Sequence, residues 1–345
     1  MTTDTASPVL QTFPLGAQWP TIDPFLFVAH HDDQYPAGEA DLGPDPAELQ
    51  GRTIGSDFSQ RDGWSMYHGS RVPGFPQHPH RGFETITHVR HGYIDHADSM
   101  GATARFGHGD TQWMTAGGGV QHCEMFPLVN DDADNPLKLF QIWLNLPAID
   151  KMVEPYFTML WNERTPRIQH VDDNGAATEV TVIAGPLGDT NAPTPPPNSW
   201  AARSEADVAV WHIRIDAGGT WTMPKANGAG TIRVLYAFEG STLQIGDADP
   251  IAAGTGAAVT ADVPLLLQAG DGPIEVMVLQ GRPIGEPVAQ HGPFVMNTRD
   301  ELVQAFEDYQ STQFGGWPWD GPDPDHGPEA GRFAIHADGR REEPS

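Results

Sequence analysis

Hydrophobic and polar positions alternate with period two through much of this 345-residue chain, in short runs separated by turn residues. Successive side chains of an extended strand point to opposite faces, so such runs predict strands with one buried face. The clearest run covers 137–146, with Phe140, Ile142, Leu144 and Leu146 on one face and Gln141, Trp143 and Asn145 on the other. One face should pack in a core, and the other can line a cavity with polar ends. Shorter runs at 85–90, 93–96, 102–106 and 111–115 are broken by His91-Gly92 and by Gly107-His108-Gly109-Asp110. A second series follows at 179–184, 207–215, 231–238, 241–245 and 274–279. Short strands at this spacing predict a sandwich or barrel, here two in succession, so the expected fold class is all-β.

Helical spacing stands out once, at 299–310, where Leu302, Val303, Phe306 and Tyr309 form an apolar stripe. Thr298 as N-cap with Glu301 three residues on is a capping box. Residues 34–63 are polar and rich in Pro, Gly and Asp, which predicts a long loop over a barrel mouth or an insertion. Trp64, Met66 and Tyr67 read as core, as does His212 among its apolar neighbours.

Composition narrows the class. The 38 Gly and 32 Pro fit many turns, while 10 Trp and 15 Phe supply ample core material. No run of apolar residues is long enough to span a membrane, and the first residues lack a secretory signal. Cys123 is the single cysteine, so no intrachain disulfide can form, and a cytoplasmic location is expected. A formal net charge of −27 argues against a basic nucleic-acid surface and reads as solubility.

Two histidines, His78 and His80, carry the candidate chemistry. Pro79 pushes the residue before it out of the helical region, so the segment is extended and both imidazoles share a face. Farther on, Gln121-His122-Cys123-Glu124 places His122 and Glu124 on one face and Cys123 on the other. If these two strands face each other across a barrel, three imidazole nitrogens and a carboxylate converge as a site for a divalent first-row metal. Gly117-Gly118-Gly119 lets the backbone bend tightly into the second strand. Glu84 is a rival fourth ligand on spacing alone. His88, His91, His96 and His108 are read as surface residues or neighbours of the ligands.

The run from Gly74 to Thr87, and Gln112-Trp113-Met114-Thr115-Ala116-Gly117-Gly118-Gly119-Val120 leading into His122-Cys123-Glu124-Met125, closely resembles the pirin family. So do Gln141-Ile142-Trp143-Leu144-Asn145-Leu146-Pro147 and Gln290-His291-Gly292-Pro293-Phe294-Val295-Met296-Asn297-Thr298. The resemblance covers roughly residues 20–315 and implies a bicupin, two β-barrel domains of the cupin superfamily with a C-terminal helix. The family's metal ligands fall on His78, His80, His122 and Glu124, which leaves Glu84 outside the set. The implied metal is iron as Fe(II), with Zn, Ni, Cu, Mn or Co also within reach of such donors. The implied activity is a quercetin 2,3-dioxygenase-like dioxygenase taking a small aromatic substrate, a flavonol such as quercetin, and O2. Glu124 then has a catalytic part as acceptor of the flavonol hydroxyl proton. The family also implies an alternative, an iron-binding redox-sensing protein that acts through a protein partner without a dedicated substrate. Trp64, Tyr67, Trp113, Met114 and Trp143 are candidates to line a substrate cavity.

The expected layout is a poorly ordered start at 1–20 and a metal-binding N-terminal cupin at 21–150. A connector at 151–175 precedes a metal-free C-terminal cupin at 176–297. A helix at 298–314 and a Pro/Gly-rich tail at 315–345 complete the chain.

Overall fold

The computed structural model describes residues 7–329 and 331–345. It is built of strands, with one α-helix, Arg299–Thr312, among the described residues. Two compact units emerge, and neither is continuous in sequence. One takes residues up to 29, 143–145 and 164–285; the other takes 30–142, 146–163 and 286–345.

The first unit holds a seven-stranded sheet ordered Val9–Pro14, Thr255–Val259, Ile232–Gly240, Ile274–Gly281, Ala209–Ile215, Ala177–Ala184 and Arg167–Val171. Its four-stranded partner runs Thr220–Met223, Leu265–Ala269, Thr242–Ile245 and Ile251–Ala252. Alternate residues of the two sheets, among them Val182, Trp211, Leu235, Leu243, Leu267 and Val276, meet in one buried core. That alternation corrects the reading of His212. Trp211 and Ile213 point into the core, so His212 lies on the other face, where its Nε2 sits 2.6 Å from Glu275 Oε2.

Weak order was expected over 1–20. Residues 1–6 lie outside the described residues, and Val9–Pro14 is an edge strand paired antiparallel with Thr255–Val259. The stretch read as a connector likewise supplies two edge strands, Tyr156–Leu160 and Arg167–Val171. An edge strand has one paired side, so polar residues survive in it and mask its pattern.

The second unit packs a five-stranded sheet against a six-stranded one. The five run Tyr156–Leu160, Thr111–Thr115, Phe83–His91, Asn135–Asn145 and Phe25–Tyr35. The six run Arg341–Glu342, Phe333–Ile335, Thr103–Gly107, Tyr93–Asp98, Val120–Met125 and Gly74–His80. Val89, Ile94, Phe106, Met114, Leu139 and Phe157 fill the space between them. Trp64, Met66 and Tyr67 join this core as expected, and Arg52 from the long loop lies 3.4 Å from the centre of the Trp64 ring.

The helix carries the predicted capping box: Thr298 Oγ1 accepts from Glu301 N, and Glu301 Oε2 accepts from Thr298 N. Its stripe needs one correction. Leu302 and Ala305 are buried, whereas Val303 is 57% exposed. At 100° per residue Val303 is turned off the face that Leu302, Ala305 and Phe306 share.

Candidate metal centre

Gly74–His80 and Val120–Met125 are neighbours within one sheet, paired antiparallel, with His78 directly opposite His122 and His80 opposite Val120. The two strands therefore do not face each other across the barrel. Convergence comes from cross-strand pairing, which brings side chains of one face to about 5 Å at the Cβ atoms. Imidazole centroids lie 4.4 Å apart for His78 and His122, 4.8 Å for His78 and His80, and 4.9 Å for His80 and His122.

The entry into the second strand depends on glycine. Gly117 has φ +50° and Gly119 φ +133°. A Cβ at Gly117 would stand 2.1 Å from Val153 O, and one at Gly119 would stand 2.7 Å from the Phe314 ring. A side chain fits neither place.

One donor atom from each of His78, His80 and His122 can be chosen so that all three lie within 4.8 Å of one another. His122 is fully buried, and neither ring nitrogen has a hydrogen-bond partner among the described residues. A buried polar atom left unsatisfied costs free energy, so two on one ring call for a ligand. His78 Nδ1 lies 2.8 Å from Pro76 O. A carbonyl can only accept, so Nδ1 carries the proton and Nε2 keeps its lone pair for a metal. Burial lowers the pKa of His78 to about 4 and holds His80 and His122 well below the usual imidazole range. Three neutral imidazoles fit a divalent cation and repel none.

Glu124 is two residues from His122 on the same face, with Oε2 3.9 Å from His122 Nε2. Oε1 lies 3.0 Å from Thr87 Oγ1, and Oε2 accepts from Gln141 Nε2 at 3.3 Å. Burial raises the pKa of Glu124, opposed by His96 and Thr87. Gln141 belongs to the polar face predicted for 137–146, and Thr87 had no signal of its own in the sequence. Glu84 is buried elsewhere, with Oε1 accepting from Thr115 Oγ1 at 2.6 Å; the three clustered residues include neither Glu84 nor Glu124.

Of the surplus histidines, His96 is fully buried and lies against the centre. It stands directly opposite Glu124 in the sheet, 5.5 Å from His122 between ring centroids, with Nε2 3.3 Å from Asp98 Oδ2. His88 is buried against Thr111 Oγ1 at 2.8 Å, while His91 and His108 are exposed. Cys123 faces away from the imidazoles into an apolar cluster with Ala97 and Met125, and burial pushes its thiol up. A cavity of about 320 Å³ in this unit is lined by Asp98, Met114, Val120, Tyr156, Phe157 and His336 among others. Met114 lines this cavity and also packs in the core with Trp64 and Tyr67, Trp113 is fully buried, and none of His78, His80, His122 and Glu124 lines the cavity.

The sequence pattern described as Pirin matches residues 7–144, and that of the Pirin C-terminal cupin domain matches residues 210–315. A Pseudomonas aeruginosa protein provisionally named a quercetin 2,3-dioxygenase is 36% identical over 241 residues, 70% of this chain and 79% of that protein. A pirin-like protein of Caulobacter vibrioides is 34% identical over 275 residues, 79% of this chain and 91% of that one. The crystal structure of a quercetin 2,3-dioxygenase from Acinetobacter baumannii superimposes with a TM-score of 0.70 at 24% identity. It covers 89% of this chain and 98% of that one, a likeness of fold.

Proposed function

The chain belongs to the pirin family of bicupins, and from that premise we propose that it is a metal-dependent dioxygenase acting on flavonols such as quercetin. The proposed ligands are His78, His80, His122 and Glu124, and the proposed metal is Fe(II). The observation that carries this reading is the convergence of three neutral imidazoles, two buried and His78 half-buried, with neither nitrogen of His122 hydrogen-bonded among the described residues. Relatives provisionally named quercetin 2,3-dioxygenases support the substrate class.

When bound, such a metal supplies Lewis-acid stabilisation of negative charge on the deprotonated substrate. The chain's own residues do the rest. Glu124 accepts the flavonol hydroxyl proton at a carboxylate oxygen, and its burial makes it the stronger acceptor. Gln141 orients that carboxylate through Oε2, and Thr87 through Oε1. His78 is held in the metal-facing tautomer by Pro76 O.

The test is metal analysis of the purified full chain, followed by oxygen uptake with quercetin, other flavonols and catechols. Roughly one metal per chain and uptake with a flavonol are expected, both lost in His78→Ala. A chain that stays metal-free after anaerobic incubation with Fe(II) overturns the metal reading. One that binds metal but consumes no oxygen with any flavonol overturns the dioxygenase reading and favours a protein-partner role.

A further inference from the structure

The alternation that sends the histidines inward sends Gln77, Gln121 and Cys123 to the far side of the same two strands. That side is covered by the C-terminal helix and the chain that follows it. Gln121 is fully buried there, and its amide makes four hydrogen bonds. Nε2 donates to Gln313 O at 2.6 Å and to Gly316 O at 3.0 Å. Oε1 accepts from Gln77 Nε2 at 2.8 Å and from Tyr309 OH at 3.0 Å. Two carbonyls against Nε2 fix the orientation of the amide, since a flipped oxygen would face both.

Two further ties involve neighbours of the ligands. The register shift between Phe75 and His78 is a bulge that takes the Gln77 amide out of the ladder, and it donates to Pro322 O at 2.6 Å. Arg81, next to His80, donates from Nε to Gly118 O and from Nη1 to Asp308 Oδ2, both at 2.7 Å, and lies over the Phe314 ring. Each histidine ligand thus has a sequence neighbour gripped by residues 308–322. The Gln77–Gln121 bond spans the two ligand strands directly behind the imidazoles.

We propose that residues 299–322 form a back plate for the metal centre, with Gln121 as the positioning residue whose amide ties the two ligand strands to it. The proposal rests on the metal reading of the histidine cluster. Metal affinity and docking of the back plate are then one coupled equilibrium, and coupling between two sites is reciprocal.

Tyr309→Phe removes one hydroxyl, and Gln121→Leu removes all four bonds and leaves an apolar side chain one heavy atom smaller. Co(II) serves as the probe, titrated into the metal-free full chain against a competing chelator. Kd should rise about threefold in Tyr309→Phe, which loses one hydrogen bond, and about tenfold or more in Gln121→Leu, which loses four. The Co(II) ligand-field bands should shift in Gln121→Leu, which loss of global stability alone would not produce. In the wild type, Co(II) should slow amide hydrogen exchange at 313–322 while leaving strand Ile232–Gly240 unchanged. Wild type that binds no Co(II) counts against the metal reading itself. Wild type that binds while Tyr309→Phe keeps the same Kd, with no slowed exchange at 313–322, overturns the back plate. Should Gln121→Leu fail to fold, Tyr309→Phe and the exchange experiment decide.

Discussion

Glu124 is where ligand and base would be one residue, and its amide variant separates the two parts. Glu124→Gln keeps an oxygen for the metal but cannot accept a proton. We expect it to retain metal and lose about 10²–10⁴ in turnover, the usual worth of a general base. Iron per chain and oxygen uptake with quercetin check this; unchanged turnover per iron would leave Glu124 a ligand only. Glu84→Gln is the control, since Glu84 is tied to Thr115. A second residue-scale case is Asp33. Burial raises its pKa to about 6, against hydrogen bonds from Gln60, Ser65 and Tyr67. Burial and then His30 lower that of neighbouring His31 to about 4. Between about pH 4 and 6 the folded Asp33 holds a proton that the unfolded chain has lost, so its contribution to stability falls as pH rises. His31 has the opposite sign, because there the unfolded chain holds the proton. The two oppose each other over the same window. Asp33→Asn removes the falling limb, so the stability of the variant relative to wild type should rise by about 3 kcal/mol from pH 4 to 6. Urea denaturation of the metal-free proteins at several pH values measures it; a difference independent of pH contradicts the assignment.

At the scale of elements, local chemistry was legible wherever its partner lies nearby in sequence. The capping box at Thr298 and Glu301 is such a case, and Thr298→Ala should cost about 1 kcal/mol, read from the denaturation midpoint. No shift in that midpoint would mean the helix does not unfold with the domain. The inward set His78, His80, His122 and Glu124 was also legible, because period two decides faces without any tertiary information. Which strands are neighbours was not. His78 and His122 are 44 residues apart, and only the register of the sheet sets them opposite each other. The bulge between Phe75 and His78 was hidden for the same reason, since an extra residue has meaning only against a partner strand. Spacing left Glu84 open beside Glu124. The structure seats Glu84 against Thr115 and brings Glu124 to 3.9 Å from His122.

Across the whole molecule, the sequence alone carries the all-β class, the one strong helix, the paired histidine motifs and the family likeness. Each depends on residue types at short, regular separations, which strand and helix geometry convert directly into faces. The tertiary structure decided what depends on pairing over long stretches of chain. It put strand Val9–Pro14 in the sheet of the later unit and residues 286–345 in the unit of the earlier barrel. It set His96 opposite Glu124 and Gln141 on its carboxylate, and it laid Tyr309, Gln313 and Gly316 on Gln121. No local pattern encodes these contacts. A polar residue on an outward face looks solvated in sequence until another segment buries it and takes up its hydrogen bonds.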